Sequence, residues 1–344
     1  MPGSVAACAA HVSYQLSLAR PVALACDASA EGVLAAIGIT YLAHAREGQL
    51  RLARAEGLQP RIGEQVVLAP SPIEPETVAF ATRVLSGFAR TVTTGCRRQR
   101  DGLCPASCDH RCVYRIALAC ASDSPTMPEV VHRYVRLGFA QDSRVRTLIT
   151  DRRVADFDDL ARHVLGECEH TRQFVRFSHM ADGSFAASFS PSANTIPLMA
   201  RHFAARMRQE RFVIADPRHR VAAFHAEGAK RCELARLDGQ LLKALVRMDD
   251  LADDEPYVRA MWQRFYRGTS LPGRDKSQRG YDLRTKWMPQ RLWDGLYELG
   301  QDAPDAPVPA RYDGNATDMP RIREAAPSSR REPPLRCSMV SGRD

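Results

Sequence analysis

Four cysteines with metal-binding chemistry lie within seventeen residues of the chain: Cys96, Cys104, Cys108 and Cys112. Thiolates are strong ligands for zinc and for iron–sulfur clusters, and His110 offers a substitute imidazole. The spacing C-x7-C-x3-C-x3-C differs from the C-x2-C knuckle of structural zinc sites and from the last gap of the radical S-adenosylmethionine (SAM) signature. A zinc or iron–sulfur site is therefore one interpretation of these cysteines.

The same stretch also has the features of a helix that buries its sulfur atoms. Pro105 suits the first turn of a helix. Every fourth residue that follows then lies on one face: Cys108, Cys112, Ile116 and Cys120. Because free cysteine behaves as a small apolar residue, this face would pack in the core. Redox sensing by an accessible thiol is a third interpretation.

A second candidate site combines imidazole and carboxylate groups: His202, Asp216 and His219. His202 lies on a predicted helix between two predicted hairpins, and the other two residues lie in the turn of the second hairpin. Such groups perform general acid–base catalysis, and Arg176 or Arg206 would hold a phosphate. In the alternative interpretation, Asp216 caps its own turn and His202 is a packing residue.

A third candidate is a basic segment with interleaved aromatic residues, suited to nucleic acid. Basic side chains neutralise phosphates, and aromatic rings stack on unpaired bases. The basic residues of this segment are Arg264, Arg267, Arg274, Lys276, Arg279, Arg284, Lys286 and Arg291. Together with Arg176 and Arg206 they are the predicted nucleic-acid-binding residues. The aromatic residues of the segment are Phe265, Tyr266, Tyr281 and Trp287. The alternative is a solvated basic surface, with Trp262, Phe265 and Trp293 placed in the core by their periodicity.

His163, Glu167 and His170 are spaced so that they share one face of a predicted helix. Two imidazoles and a carboxylate there would suit a metal ion. In the alternative interpretation, these are exposed polar residues beside the apolar face of that helix and bind no metal.

Hydrophobic periodicity indicates the elements that position these groups. It predicts strands over 21–27 and 64–69, and helices over 31–45, 74–89, 127–139 and 156–170, with Asp156 as an N-cap. Asp182-Gly183 predicts the turn of one hairpin, and the strands 211–216 and 220–225 form another. Helices are predicted over 195–209, 238–249, 254–267 and about 286–299. The fold class is α+β, with helices packed around a small, mostly antiparallel sheet.

Length and composition describe a globular chain with a basic bias. The 344 residues carry a formal charge of +8 and are 44% apolar. The charge favours a polyanionic partner. Neither a signal peptide nor an apolar run of membrane-spanning length is evident, so a cytoplasmic location and no membrane partner are expected. There the ten cysteines would not form a disulfide framework.

The pattern divides the chain into five parts. They are a loose lead-in over 1–19, an N-terminal α/β part over 20–95, a cysteine-rich insertion and helix start over 96–112, an α+β domain over 113–300, and a disordered tail over 301–344.

Three stretches resemble a bacterial family described as DNA metabolism or DNA repair proteins of undetermined biochemistry. They are "FVRFSHMADGSFAASFSPSANTIPLMARHFAARM", "RFVIADPRHRVAAFH" and "MPQRLWDGLYEL". Upstream, "CDASAEGVLAAIGITY" is similar to the family's N-terminal start, so the resemblance covers about residues 20 to 300. It implies a radical SAM protein as partner and a relation to a domain fused to uracil-DNA glycosylase-like proteins. The stretch "ECEHTRQ" departs from the family pattern, because His170 is displaced by one position and Gln173 replaces a glycine.

These observations lead to one principal hypothesis and two alternatives. The chain is predicted to be a DNA-metabolism protein that binds nucleic acid, DNA above all, or a radical SAM partner. One alternative is a nucleic-acid-processing enzyme using His202 and Asp216 with nearby arginines. The other is an interaction module stabilised by a metal on the cysteines.

Overall fold

The fold is known from a computed structural model, which describes residues 4–93, 108–247, 250–268 and 288–297. The chain divides into two units, Met1–Gln301 and Asp302–Asp344. The predicted tail over 301–344 lies outside the described residues. The first unit contains two sheets and their surrounding helices, which confirms an α+β class.

The predicted loose lead-in over 1–19 is wrong, because residues Val5–Ser17 form helix α1. Ser4 caps this helix by accepting a hydrogen bond from the Ala7 N–H at 3.2 Å. Val5 and Val12 are buried, whereas His11 is exposed. His11 and Ser13 therefore lie on the solvent face of an amphipathic helix.

The first sheet is entirely parallel, which corrects the expectation of a mostly antiparallel sheet. Its strands are β1 (Val22–Cys26), β2 (Leu50–Arg54) and β3 (Gln65–Leu68), in the order β2-β1-β3. Helix α2 (Ala30–Leu42), capped by Ser29, connects β1 to β2. A parallel pair needs such a crossover, and the central strand β1 is buried along its whole length.

Helices pack against this sheet and against each other. They are α3 (Pro75–Thr93), α4 (Cys108–Cys120), α5 (Met127–Gln141) and α6 (Arg152–Phe174), with a 3₁₀ turn at Asp142–Arg146. Helix α6 begins earlier than predicted, because Asp151 rather than Asp156 accepts the capping hydrogen bond, from the Arg153 N–H at 2.8 Å. These elements share one apolar core with α1, α2 and the first sheet.

The second sheet is mixed, with the order β4-β5-β6-β7-β8. Its strands are β4 (Ser178–His179), β5 (Phe185–Ser188), β6 (Phe212–Asp216), β7 (Val221–His225) and β8 (Glu233–Arg236). Both predicted hairpins are present as antiparallel pairs, β4 with β5 and β6 with β7. The two hairpins join through a parallel pairing of β5 with β6, across helix α7 (Ile196–Arg206).

Two helices and a 3₁₀ turn complete the described chain: α8 (Gly239–Arg247), α9 (Glu255–Gly268) and the turn Gln290–Gly295. A second apolar core lies among α6, α7, one face of the second sheet and the 3₁₀ turn. The turn contributes Leu292, and Leu296 directly after it also packs there. A small third cluster lies on the other face of this sheet, beneath α8.

Candidate functional site

The turn between β6 and β7 holds an imidazole between two carboxylates. Asp216 ends β6, and His219 follows in the turn. The His219 Nδ1 atom lies 2.5 Å from Asp216 Oδ2, and its Nε2 atom lies 2.7 Å from Asp123 Oδ1. Asp123 lies beyond the end of α4, and Arg218 donates to its Oδ2 at 2.8 Å. We call Asp123, Asp216, Arg218 and His219 the turn cluster.

The protonation of the turn cluster follows from its contacts. Burial disfavours a charged ring, but hydrogen bonds and charges from Asp123 and Asp216 outweigh it and raise the pKa of His219 to about 9. Burial likewise opposes the charge of Asp123, yet His219 and Arg218 hold the pKa of that carboxyl below its usual value. At neutral pH the ring is an imidazolium that donates from both nitrogens, so it has no lone pair with which to accept a proton.

Backbone contacts give the turn cluster a structural role as well. The Asp216 side chain is fully buried, and its Oδ1 accepts hydrogen bonds from the backbone N–H groups of Arg218 and His219, at 3.0 and 3.2 Å. Asp216 thus caps its own turn. Arg54, at the end of β2, donates to the carbonyl of Asp123 at 3.0 Å. The turn cluster therefore ties the second sheet to the carboxyl edge of the first.

His202 does not join Asp216 and His219. Its charged neighbours are Arg172, Arg206 and Glu169, and burial together with the two arginines lowers the pKa of its ring. Among the described residues, none hydrogen-bonds to His202 Nε2. The geometry therefore favours the structural interpretation of these three residues over a shared acid–base site.

The buried Glu167 carboxylate connects α6 to two other parts of the chain and does not form a metal site with His163 and His170. The carboxylate accepts from the backbone N–H of Ser192 at 2.7 Å and from Arg291, and it lies 3.1 Å from His170 Nδ1. His163 instead contacts the Ser192 hydroxyl at 3.3 Å. Across the described ranges, no group of three or more His, Cys, Asp or Glu side chains is arranged to hold a metal ion. Arg291, predicted to contact nucleic acid, here fastens the 3₁₀ turn to α6.

Helix α9 presents aromatic side chains to solvent, and the prediction that Trp262 and Phe265 belong to the core is wrong. Trp262 is 40% exposed and Phe265 is 61% exposed. Their rings stack with centroids 5.6 Å apart. The Arg176 guanidinium lies 5.7 Å from the Trp262 ring centroid, a cation–π distance, and Arg264 on the same helix is exposed. We call Arg176, Trp262, Arg264 and Phe265 the α9 surface.

The remaining predicted nucleic-acid residues are distributed as follows. Arg206 is exposed at the end of α7. Arg267 belongs to the last turn of α9, and nothing is described of its side chain. Arg274, Lys276, Arg279, Arg284 and Lys286 lie outside the described residues.

The cysteine stretch is described only in part. Cys96 and Cys104 lie outside the described residues, while Cys108 and Cys112 belong to the first turns of α4, where their side chains are not described. Further along α4, Ile116 and Cys120 are buried, as the helical interpretation predicts. Burial raises the pKa of the Cys120 thiol, and it raises those of Cys8 and Cys168 to about 11. These three are protonated, apolar core groups at neutral pH.

Sequence reasoning missed two groups that organise these sites. Asp123 carries no local motif, and its ring partner His219 is 96 residues away in the chain. A network around Ser178 was missed as well. The Ser178 hydroxyl lies 2.6 Å from the Tyr297 hydroxyl and accepts from Arg259 at 2.7 Å, and Arg259 also donates to the buried Glu255. The one available signal was the i, i+4 spacing of Glu255 and Arg259 on a predicted helix.

The fold and these sites define a mixed α+β protein with an internal imidazole–carboxylate network and an exposed helix surface of aromatic and arginine side chains. Residues 125–298, about half of the 344-residue chain, match the domain of unknown function DUF4130, and the chain belongs to that family. No curated protein and no solved structure matches it. In the described part of the chain, no helix is long and apolar enough to cross a membrane.

Proposed function

We propose that this protein binds single-stranded nucleic acid, in the first instance DNA, through the α9 surface. The observation that carries the proposal is the exposure of two stacked aromatic rings, Trp262 and Phe265, beside two arginines. Two adjacent aromatic side chains that keep 40% and 61% of their area exposed form an apolar patch of the kind that marks an interaction surface.

The chemistry of the α9 surface suits unpaired bases. Every base has a flat face that stacks on an aromatic ring, and each such contact contributes about 1–3 kcal/mol. The arginines supply positive charge for the backbone phosphates, and the whole chain carries a formal charge of +8. Bases in a duplex are already stacked and paired, so this surface discriminates in favour of a single strand.

Fluorescence anisotropy with a labelled single-stranded oligodeoxynucleotide tests the proposal. We expect Trp262→Ala and Phe265→Ala each to weaken binding about 5- to 150-fold, the loss of one stacked base. Tyr14→Ala is the matched control, because Tyr14 is an aromatic residue of α1 that is 58% exposed. Affinity for a duplex of the same sequence should be lower, and affinity for the single strand should fall as salt rises.

Two results would contradict this function. One is the absence of oligonucleotide binding at low salt. The other is an equal loss in the Tyr14→Ala and Trp262→Ala variants, which would show that the α9 surface has no special part in binding. A matching RNA oligonucleotide shows whether the sugar matters, since the α9 surface is proposed to read bases and phosphates.

We further propose that the protein acts in DNA metabolism or repair alongside a radical SAM protein. The support is the resemblance of residues 20 to 300 to proteins so described, together with the α9 surface. Co-purification of the tagged full chain with a radical SAM protein from the same organism is the test. A reciprocal experiment that recovers neither partner would remove this part of the proposal.

A further inference from the structure

Helix α8 covers only one end of the outer face of the second sheet. Its Leu242 and Leu245 side chains pack towards Ala215 and Ala222. Further along the same face, Val213 and Phe224 pair across β6 and β7 and remain partly exposed. A cavity of about 370 Å³ opens over this uncovered end. We call it the sheet cavity.

Charged side chains flank the apolar floor of the sheet cavity. Glu233 is the β8 partner of Phe224, so it lies beside the floor. Arg211 immediately precedes β6, and its guanidinium also donates to the Asp182 carbonyl at 2.6 Å. Arg231 comes two residues before β8. Both arginines line the cavity and are exposed. Two guanidinium groups and one carboxylate thus surround an aromatic and aliphatic floor.

A buried histidine on the opposite face of β7 holds the chain segments beside the sheet cavity in place. The His225 ring stacks on Phe212, with centroids 4.6 Å apart and an interplanar angle of 15°. Its Nδ1 atom lies 2.8 Å from the carbonyl oxygen of Glu210, and its Nε2 atom lies 2.9 Å from that of Ala229. Because the ring ties both chain segments to the sheet, the cavity is formed before any ligand arrives.

We infer that the sheet cavity binds a nucleoside monophosphate. The base lies on the Phe224 floor, where aromatic stacking favours a flat ring. The phosphate contacts Arg231 and Arg211, whose planar guanidinium groups match its oxygen atoms. The Glu233 carboxylate accepts hydrogen bonds from an exocyclic amino group, which adenine, guanine and cytosine carry and uracil lacks. The volume lies in the range of small-molecule sites, about 300–1,000 Å³.

This site is separate from the α9 surface and does not depend on the proposed function. None of the residues that line the sheet cavity belongs to α9. Binding of a mononucleotide and binding of a single strand can therefore fail independently. Trp262→Ala should leave mononucleotide binding unchanged, and Arg231→Ala should retain binding to an oligonucleotide.

Isothermal titration of the full chain with AMP tests the inference. We expect Arg231→Ala to weaken AMP binding about tenfold, the loss of one charge-assisted contact. Arg201→Ala is the matched control, because Arg201 is an exposed arginine of α7 that does not line the cavity. The Glu233→Gln variant should lose the preference for AMP over UMP.

Three ligand comparisons complete the experiment. AMP should bind more tightly than UMP, adenosine or ribose 5-phosphate, because each of these lacks one of the expected contacts. The inference is overturned if AMP does not bind, if ribose 5-phosphate binds as tightly as AMP, or if Arg201→Ala costs as much affinity as Arg231→Ala.

Discussion

The turn cluster and the α9 surface are both collections of functional groups, but their contacts differ. In the turn cluster, each ring nitrogen of His219 faces a carboxylate, and Asp216 is fully buried. On the α9 surface, two aromatic rings and an arginine remain in solvent. Groups that satisfy one another inside a protein hold the fold together, whereas groups left open to solvent are free to meet a ligand. We therefore expect substitutions in the turn cluster to change stability and substitutions on the α9 surface to change binding.

The largest effect should come from removing the buried carboxylate of the turn cluster. Asp216→Ala leaves His219 with one carboxylate and leaves two turn N–H groups without their acceptor. Breaking a buried ion pair in this way costs about 3–5 kcal/mol of unfolding free energy. Urea denaturation measures it, with the exposed turn residue Asp182→Ala as control. Equal losses in the two variants would show that the turn cluster is not a stabilising centre.

Stability should also depend on the charge of His219. An imidazole in an unfolded chain titrates near pH 6.5, and the fold raises the pKa of His219 to about 9. A raised folded pKa gives a stabilisation that is complete below about pH 6.5 and is lost as the pH rises through 9. The total is roughly 3 kcal/mol. The difference in unfolding free energy between the wild type and His219→Gln should shrink over that interval, and a constant difference would contradict the ion-pair network.

The α9 surface should behave in the opposite way. Phe265→Ala is expected to change the unfolding free energy by less than about 1 kcal/mol, because most of its area is exposed. Trp262→Ala should cost more than Phe265→Ala but clearly less than the loss of a core aromatic residue, because Trp262 is 40% exposed. Phe203→Ala is the comparison, since Phe203 is a core aromatic of α7 and its loss should cost about 3–5 kcal/mol. Thermal and urea unfolding measure both. A loss at Trp262 as large as that at Phe203 would reassign the ring to the core.

The smallest effect concerns a single charge. Arg264→Ala should lower the slope of log affinity for single-stranded DNA against log salt by about 1, since it removes one phosphate contact. Its effect on stability should be negligible. Arg208→Ala, an exposed arginine that precedes β6, should leave the slope unchanged. An unchanged slope in Arg264→Ala would show that the charge next to the aromatic rings contacts no phosphate.

Sequence reasoning succeeded where structure is decided locally. The Asp182-Gly183 turn is such a case, because Gly183 adopts a φ of 76°, a conformation that favours glycine. The direction of strand pairing, by contrast, depends on contacts between residues that are far apart in the chain. Strand β2 escaped notice because Arg51 and Arg54 interrupt its apolar residues, and the patterns of 21–27 and 64–69 do not show that β1 and β3 pair in parallel.

The candidate functional residues also divide into those set by local sequence and those set by tertiary packing. The Asp216 cap was predictable because its carboxylate accepts hydrogen bonds from its own turn. The contact of His219 with Asp123 was not predictable, because it depends on tertiary packing. Trp262 and Phe265 had the periodicity of a buried face, and periodicity identifies a face without showing what covers it. The exposure of these rings, on which the proposed function depends, came only with the structure.

The family boundary at residue 125 falls inside a tightly connected region. Asp123, just ahead of it, contacts His219, and Glu129, just past it, accepts a hydrogen bond from the β2 residue Leu52 at 2.9 Å. One apolar core also runs from Val5 to Phe157, across the boundary. The segment that matches the family, residues 125–298, is therefore not an autonomous folding unit in this protein. Excised at residue 125, it would expose the apolar side chains that now pack against α1, α2 and the first sheet.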